Sequence, residues 1–158
     1  MEESIKNISE TAETCEEENI TSAIYNAFGK GSWKTSALSA LSLAYMGDCI
    51  YDLVIRTILT THEGGTNKNL HKKSISMVNA ATQARMIEAL EDVLTDEENA
   101  VFHRGRNAKS GSSAKNASIT DYRKATGLEA LVGYLYLEGR YNRLVELIKL
   151  GLERIGAI

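Results

Sequence analysis

Residues 36–61, SALSALSLAYMGDCIYDLVIRTILTT, determine the fold class of this chain. When this stretch is wound at about 100° per residue, apolar side chains occupy nearly every side, which predicts a central, buried helix rather than a surface helix. Its only charged residues are Asp48, Asp52 and Arg56, which follow one another at intervals of four and therefore share one narrow stripe. The glycine pair at 64–65 predicts the end of the helix.

The sequence that follows this helix continues in helical patterns. It predicts one or two helices over residues 69–94, a further helix that begins at a capping box on Thr95, a helix from about Thr120 to Glu138, and an amphipathic final helix. Residues 108–118 are rich in Ser, Gly, Asn and Lys and predict a loop. Because no segment alternates as a strand does, we expect an all-α fold of about five to seven helices in a bundled or orthogonal arrangement.

Length and composition limit the class of protein. The 158 residues include 12 Gly and no Pro, which fits a single domain and excludes collagen-like and Pro-rich classes. The longest apolar run, residues 130–137, is far shorter than the roughly 20 residues that cross a bilayer, so we predict no membrane span. Cys15 and Cys49 form no zinc or redox motif, and residues 1–10 lack the features of a signal or transit peptide, so we expect a cytoplasmic location.

The net charge of −3 combines two regions of opposite sign. Residues 1–20 carry seven Glu and one Lys, and the remainder of the chain has a net charge of +3. We assign residues 1–24 to an acidic tail that is disordered or loosely helical, and residues 25–158 to the folded domain. A tail that competes with a polyanion for the basic surface is the alternative interpretation.

Two carboxylates fall where the pattern predicts burial. Asp48 lies in the apolar helix, and Glu129 is the only charged residue between Ala125 and Leu137. Burying an unpaired carboxylate is costly, so each acid needs a partner, a cation or a raised pKa. Salt bridges formed through tertiary contacts would satisfy this requirement. A shared divalent cation would also satisfy it, and oxygen ligands favour Mg²⁺ or Mn²⁺.

The neighbours of Asp48 have simpler interpretations. Arg56 follows Asp52 at the favourable helical spacing, which predicts a salt bridge between them. We expect Cys49 to face the core as a small apolar residue.

A basic segment lies between Phe102 and Lys124, with a net charge of +5 and a single acid, Asp121. Such a cluster is typical of a phosphate-binding surface, and a solvated run of charge is the alternative. In residues 104–107, RGRN, the glycine permits close backbone approach and each arginine can hold a phosphate through two N–H groups. The basic residues of the whole segment from Phe102 to Lys124 are Arg104, Arg106, Lys109, Lys115, Arg123 and Lys124.

Four motifs resemble one known family. Residues 43–52, LAYMGDCIYD, resemble the signature helix of ribonuclease III domains, in which a Gly-Asp pair presents a metal-binding Asp. Residues 126–137, TGLEALVGYLYL, resemble the second acidic helix of that family. Residues 70–74, LHKKS, and residues 104–111, RGRNAKSG, are similar to Mini-ribonuclease III, the short bacterial form without a double-stranded-RNA-binding domain.

The resemblance implies a Mg²⁺-dependent endoribonuclease that cleaves double-stranded RNA and leaves 5′-phosphate and 3′-hydroxyl ends. Asp48 and Glu129 would be its catalytic and metal-binding residues. The implied partners are precursor 23S ribosomal RNA, a second copy of the chain, and a ribosomal protein bound to the substrate. The residues implied to follow the backbone of A-form RNA, by shape rather than base sequence, are Arg104, Arg106, Asn107, Lys109, Lys115, Lys72 and Lys73.

The chain departs from the longer family members at two positions. Those members place further acids four residues before the Asp and three before the Glu, where this sequence has Ala44 and Thr126. The reduced set implies a metal site that depends on water and RNA phosphates, with Asp52 and the Thr126 hydroxyl as supporting groups. Two alternatives remain at this point: a non-catalytic RNA- or ribosome-binding helical dimer, and a helical nucleotide pyrophosphohydrolase, which requires more clustered Glu.

Overall fold

The structure, a computed structural model, describes residues 18–109 and 118–158. Over these residues the chain is helical and contains no strand, so the all-α prediction is confirmed. The seven α-helices of the described residues are α1 Ile20–Phe28, α2 Ala40–Ile58, α3 Asn67–Val78, α4 Ala80–Leu90, α5 Asp96–Asn107, α6 Ile119–Leu137 and α7 Tyr141–Arg154.

The chain divides into two compact units, residues 1–32 and residues 33–158. Helix α1 belongs to the first unit. It begins at Asn19, whose side chain accepts a hydrogen bond from the Ser22 backbone, and ends at Gly29, where φ is 78°. The helix extends across the position, between residues 24 and 25, where the charge pattern separates tail from domain. The first 17 residues of that tail lie outside the described residues.

Local capping sets the ends of the helices in the second unit. Ser39, Thr66, Asn79 and Ser118 each accept a backbone hydrogen bond at a helix start. The cap at Asn79 divides the predicted 69–94 segment into two helices. The predicted capping box at Thr95 is confirmed, with Glu98 as its reciprocal partner. Of the predicted loop over residues 108–118, the structure describes only residues 108, 109 and 118, since residues 110–117 lie outside the described residues.

Helices α2 and α6 form the centre of the second unit, and α4, α5 and α7 pack around them. The predicted central helix is shorter than the apolar stretch, because a single turn of π-helix over Leu59–Glu63 follows α2 and Gly64 ends it with a φ of 60°. Fully buried side chains from α2, α4, α6 and α7 form one core, including Ile55, Met86 and Leu152. None of the described helices is long and apolar enough to cross a membrane.

Two pairs of glycines set how closely the helices approach. A Cβ placed on Gly47 would lie 1.7 Å from the Glu129 carbonyl oxygen, and one on Gly133 would lie 2.0 Å from the Leu43 carbonyl oxygen. Helices α2 and α6 therefore touch backbone to backbone. A Cβ on Gly105 would lie 2.9 Å from the Cα of Gly127, so α5 approaches α6 in the same way.

Candidate active site

The crossing of α2 and α6 brings Asp48 and Glu129 together, although 81 positions separate them in the chain. Gly47 directly precedes Asp48, and its backbone lies against the carbonyl group of Glu129. The two carboxylates are close enough for the charge of Asp48 to raise the pKa of Glu129. The structure thus places both predicted acids at one point of the helix crossing.

The environment of Glu129 disfavours its charged form. Its side chain is half-buried, and this burial, followed by the negative charge of Asp48, raises the pKa of Glu129 to about 7. The Gln83 amide lies against the carboxylate and acts in the opposite direction. Over residues 18–109 and 118–158, neither Asp48 nor Glu129 has a salt-bridge partner. The sequence left a salt bridge through tertiary contact open for both acids, and none is formed within the described part of the chain.

Asp48 is exposed, so the prediction that it is buried was wrong. The apolar pattern of α2 continues around the helix, but the rest of the unit covers only the side that carries Leu43, Gly47, Ile50 and Tyr51. Cys49 is exposed for the same reason, and its expected place in the core was also wrong. The pair therefore consists of an accessible carboxylate and a half-buried one.

The donor set fits a hydrated divalent cation. Two adjacent carboxylates without a basic partner concentrate negative charge, and a cation would relieve it. The described part of the chain contains no group of three or more His, Cys, Asp or Glu side chains suited to a metal, so protein ligands alone would not fill a coordination sphere. Mg²⁺ binds in this manner, because it keeps several waters and takes one or two carboxylates together with substrate phosphates.

A basic cavity of about 240 Å³ lies where α5 ends and α6 begins. Arg106, Asn107, Arg123 and Lys124 line it together with Thr120. The contact between α5 and α6 at their glycines holds this cavity on the same helix that carries Glu129. The predicted residues Arg106 and Asn107 thus share a cavity with two further cations that the sequence placed in the basic segment.

The other predicted basic residues of this segment are placed differently. Arg104 Nη2 donates to the carbonyl oxygen of Leu38 at 3.1 Å, which attaches α5 to the segment that precedes α2. Lys109 is exposed at the end of the described range. Lys115 lies outside the described residues, so its predicted role has no structural account.

Comparison with known proteins assigns the chain to a family. Residues 41–140 match the family described as Ribonuclease III domain. A Mini-ribonuclease 3 from Clostridium tetani is 49% identical over 114 residues, which cover 72% of this chain and 76% of that protein. A Mini-ribonuclease 3 from Enterococcus faecalis is 45% identical over 122 residues, covering 75% of this chain and 92% of that protein. The chain belongs to the Mini-ribonuclease III group of the ribonuclease III family.

A solved structure gives the same result for the fold. The X-ray crystal structure of a protein from Fusobacterium nucleatum has a TM-score of 0.68 to this chain at 28% identity, and covers 76% of this chain and 94% of that one. The chain is thus an endoribonuclease with an RNA substrate, in a family that generally depends on a divalent metal. Family membership favours the nuclease interpretation over the two alternatives that the sequence left open.

Two residues predicted to support the carboxylates of this ribonuclease III domain are engaged within their own helices. Asp52 Oδ2 accepts a hydrogen bond from Arg56 Nε at 2.7 Å, which confirms the predicted salt bridge. Thr126 is buried, and its Oγ1 donates to the Tyr122 carbonyl oxygen at 3.0 Å. The supporting roles of Asp52 and Thr126 at the metal site remain predictions.

Lys72 and Lys73 are exposed on α3. Lys73 forms a salt bridge with Glu63, and it lines a second cavity, of about 290 Å³, with Arg85 and residues 155–158. The predicted RNA contact of Lys73 would therefore involve a different cavity from that of Arg106.

Sequence reasoning missed Gln83. This residue of α4 is 2% exposed and lies against the Glu129 carboxylate. Its side chain shares the buried face of α4 with Ile87 and Leu90, at helical spacings of four and seven. An amide at a position where the periodicity calls for an apolar residue is the signal that could have found it.

Proposed function

We propose that this ribonuclease III domain hydrolyses phosphodiester bonds of double-stranded RNA, and that Asp48 and Glu129 hold the Mg²⁺ or Mn²⁺ that it uses. The observation that carries the proposal is the meeting of these two acids where α2 and α6 touch, with no salt-bridge partner for either among the described residues.

The two acids have different tasks because their exposure differs. Asp48 is open to solvent, where a phosphate group can reach it, whereas Glu129 is half-buried. The divalent cation that these two carboxylates would hold would supply an activated water and stabilise the charge that develops on the phosphate. Since Ala44 and Thr126 provide no carboxylate, Asp48 and Glu129 would hold the cation together with water and RNA phosphate oxygens.

The RNA is held by charge and shape. Arg106 of α5 and Arg123 of α6 bring positive charge to the cavity at the α5–α6 junction. Lys124, which also forms a salt bridge with Glu88, lines the same cavity. Phosphate contacts of this kind position a duplex without reading its bases, which suits the A-form helix. We propose precursor 23S ribosomal RNA as the biological substrate, recognised with a ribosomal protein bound; the support is the resemblance of the four motifs.

The central test is cleavage of a plain RNA duplex in Mg²⁺ by Asp48→Asn. We expect cleavage to fall at least a thousandfold while the circular dichroism spectrum and RNA affinity stay near those of the parent chain. Glu153→Gln, an exposed acid at the end of α7, is the matched control and should cleave normally. End-labelling of the parent chain's products should show 5′-phosphates. Full activity of purified Asp48→Asn would overturn the assignment.

We propose a homodimer in which α2 forms the interface. Its uncovered side carries three exposed apolar side chains, Leu41 at 38%, Tyr45 at 84% and Leu53 at 52%, in the helix that presents Asp48. An apolar stripe of this kind is typical of a protein interface.

Replacing Tyr45 with Arg should convert a dimer to a monomer in analytical ultracentrifugation. Val145→Arg on α7, which starts from 48% exposure, is the control and should leave the dimer intact. A Tyr45→Arg protein that sediments as the parent chain does would argue against this interface.

A further inference from the structure

The Gln83 amide is the buried polar group beside the two carboxylates to which the proposed function gives no task. Its side chain is 2% exposed, and its buried Nε2 makes no hydrogen bond of standard geometry with the described residues, although the amide lies against the Glu129 carboxylate. A buried N–H group that lacks an acceptor destabilises a folded protein. An acceptor is therefore expected in the working state of the site.

Residues of α2 and α4 lie near Glu129 of α6. Gln83 and Met86 lie one turn apart on the buried side of α4, which packs against α6. The hydroxyl group of Tyr51, from α2, lies 3.1 Å from the Met86 sulfur and donates to the Met77 carbonyl oxygen at 2.7 Å. Tyr51 in turn lies within electrostatic reach of Glu129. Around the buried side of the carboxylate, Gln83 thus brings an N–H group that no other acceptor uses.

We infer that Gln83 is a positioning residue for Glu129: its Nε2 donates to one carboxylate oxygen and thereby turns the other oxygen toward Asp48 and the divalent cation. This inference rests on the proposed function of the acid pair. Gln83 itself touches neither the RNA nor the ion. The carboxylate needs such a partner because no salt bridge among the described residues fixes its rotamer.

The arrangement explains why α4 carries an amide among apolar neighbours. Groups that hydrogen-bond to a metal ligand commonly contribute tenfold to a hundredfold to metal affinity, because they fix the ligand before the metal arrives. An apolar side chain of the same length would suit the buried face of α4 that Gln83 shares with Ile87 and Leu90. It would leave Glu129 free to rotate.

The test is Gln83→Met, with Gln83→Leu in parallel, measured by Mn²⁺ titration of the RNA-free full chain with electron paramagnetic resonance. We expect the Kd for Mn²⁺ to rise about tenfold. The Mn²⁺ concentration that gives half-maximal cleavage should rise by the same factor, while kcat at saturating Mn²⁺ stays near that of the parent chain. A residue that only supported the fold would not produce this split between metal affinity and kcat.

Ile148→Val is the matched control, because it perturbs a fully buried position of α7 and changes no polar group. It should lower Tm and leave the Kd for Mn²⁺ unchanged. The inference is overturned if both Gln83 variants bind Mn²⁺ as the parent chain does, if Ile148→Val loses affinity equally, or if neither Gln83 variant folds. If Asp48→Asn retains both Mn²⁺ binding and cleavage, the proposed function fails instead.

Discussion

Glu98 and Glu129 lie in adjacent helices, and Glu98 is buried while Glu129 is half-buried. The neighbours of the two carboxylates shift their pKa values in opposite directions. Arg143 Nε donates to Glu98 Oε1 at 2.8 Å and its Nη2 donates to Oε2 at 3.0 Å, and the Thr95 backbone N–H donates at 2.9 Å. These hydrogen bonds, Arg143 above all, lower the pKa of Glu98. Glu129 has no basic partner among the described residues, and its pKa is raised to about 7. A structural acid is compensated within the fold, whereas the acid of the site is left for a ligand to compensate.

The largest expected effect is on cleavage, in Glu129→Gln. We expect at least a thousandfold loss, about 4 kcal/mol of transition-state stabilisation. The free energy of unfolding in EDTA should stay the same or rise, because the variant removes an uncompensated charge. Cleavage assays and urea titrations measure the two quantities. A clear loss of stability would mean that Glu129, like Glu98, supports the fold, and would contradict the distinction between a structural acid and an acid of the site.

Glu98→Gln should show the reverse pattern. Loss of the charge at the buried Glu98 leaves the half-buried Arg143 guanidinium with only the exposed Glu146 carboxylate as an ionic partner, which should lower the free energy of unfolding by about 2–4 kcal/mol. Cleavage per folded molecule should remain near that of the parent chain. Chemical denaturation with a parallel duplex-cleavage assay at low temperature tests both statements, and Glu146→Gln, at the exposed carboxylate that also pairs with Arg143, is the control.

The smallest effect is the dependence of stability on pH in EDTA. Because the pKa of Glu129 is higher in the folded chain than the 4.5 of an unperturbed Glu, its protonated form favours folding, and this contribution is lost as pH rises from about 4.5 through about 7. For Glu98, whose pKa is lowered, the contribution is present above 4.5 and is lost as pH falls.

Urea titrations between pH 5 and 8 should therefore show that the free energy of unfolding falls by roughly 1–3 kcal/mol because Glu129 loses its proton. The decrease should be smaller in Glu129→Gln. Addition of Mn²⁺ at pH 8 should restore part of the lost free energy of unfolding. If Glu129→Gln follows the same curve as the parent chain, Glu129 is not the group responsible.

The helices themselves were largely predictable. Apolar periodicity and capping residues are local, so Thr95, Gly64 and Gly139 mark helix limits in the structure where the sequence indicates them. The two acids were also identifiable, since each stands alone in an apolar stretch. The division at Asn79 was left open because the same pattern fits one helix or two.

The sequence alone determined which segments become helices and which two acids lack a local basic partner, because periodicity, caps and spacing act over a few residues. Only the tertiary structure decided which side of α2 is covered, and so that Asp48 is exposed while Glu129 is half-buried. It also brought Arg143 to Glu98 and Gln83 to Glu129 from distant parts of the chain. Burial and charge compensation depend on which neighbours cover a face, and that is a property of the packed helices rather than of any one segment.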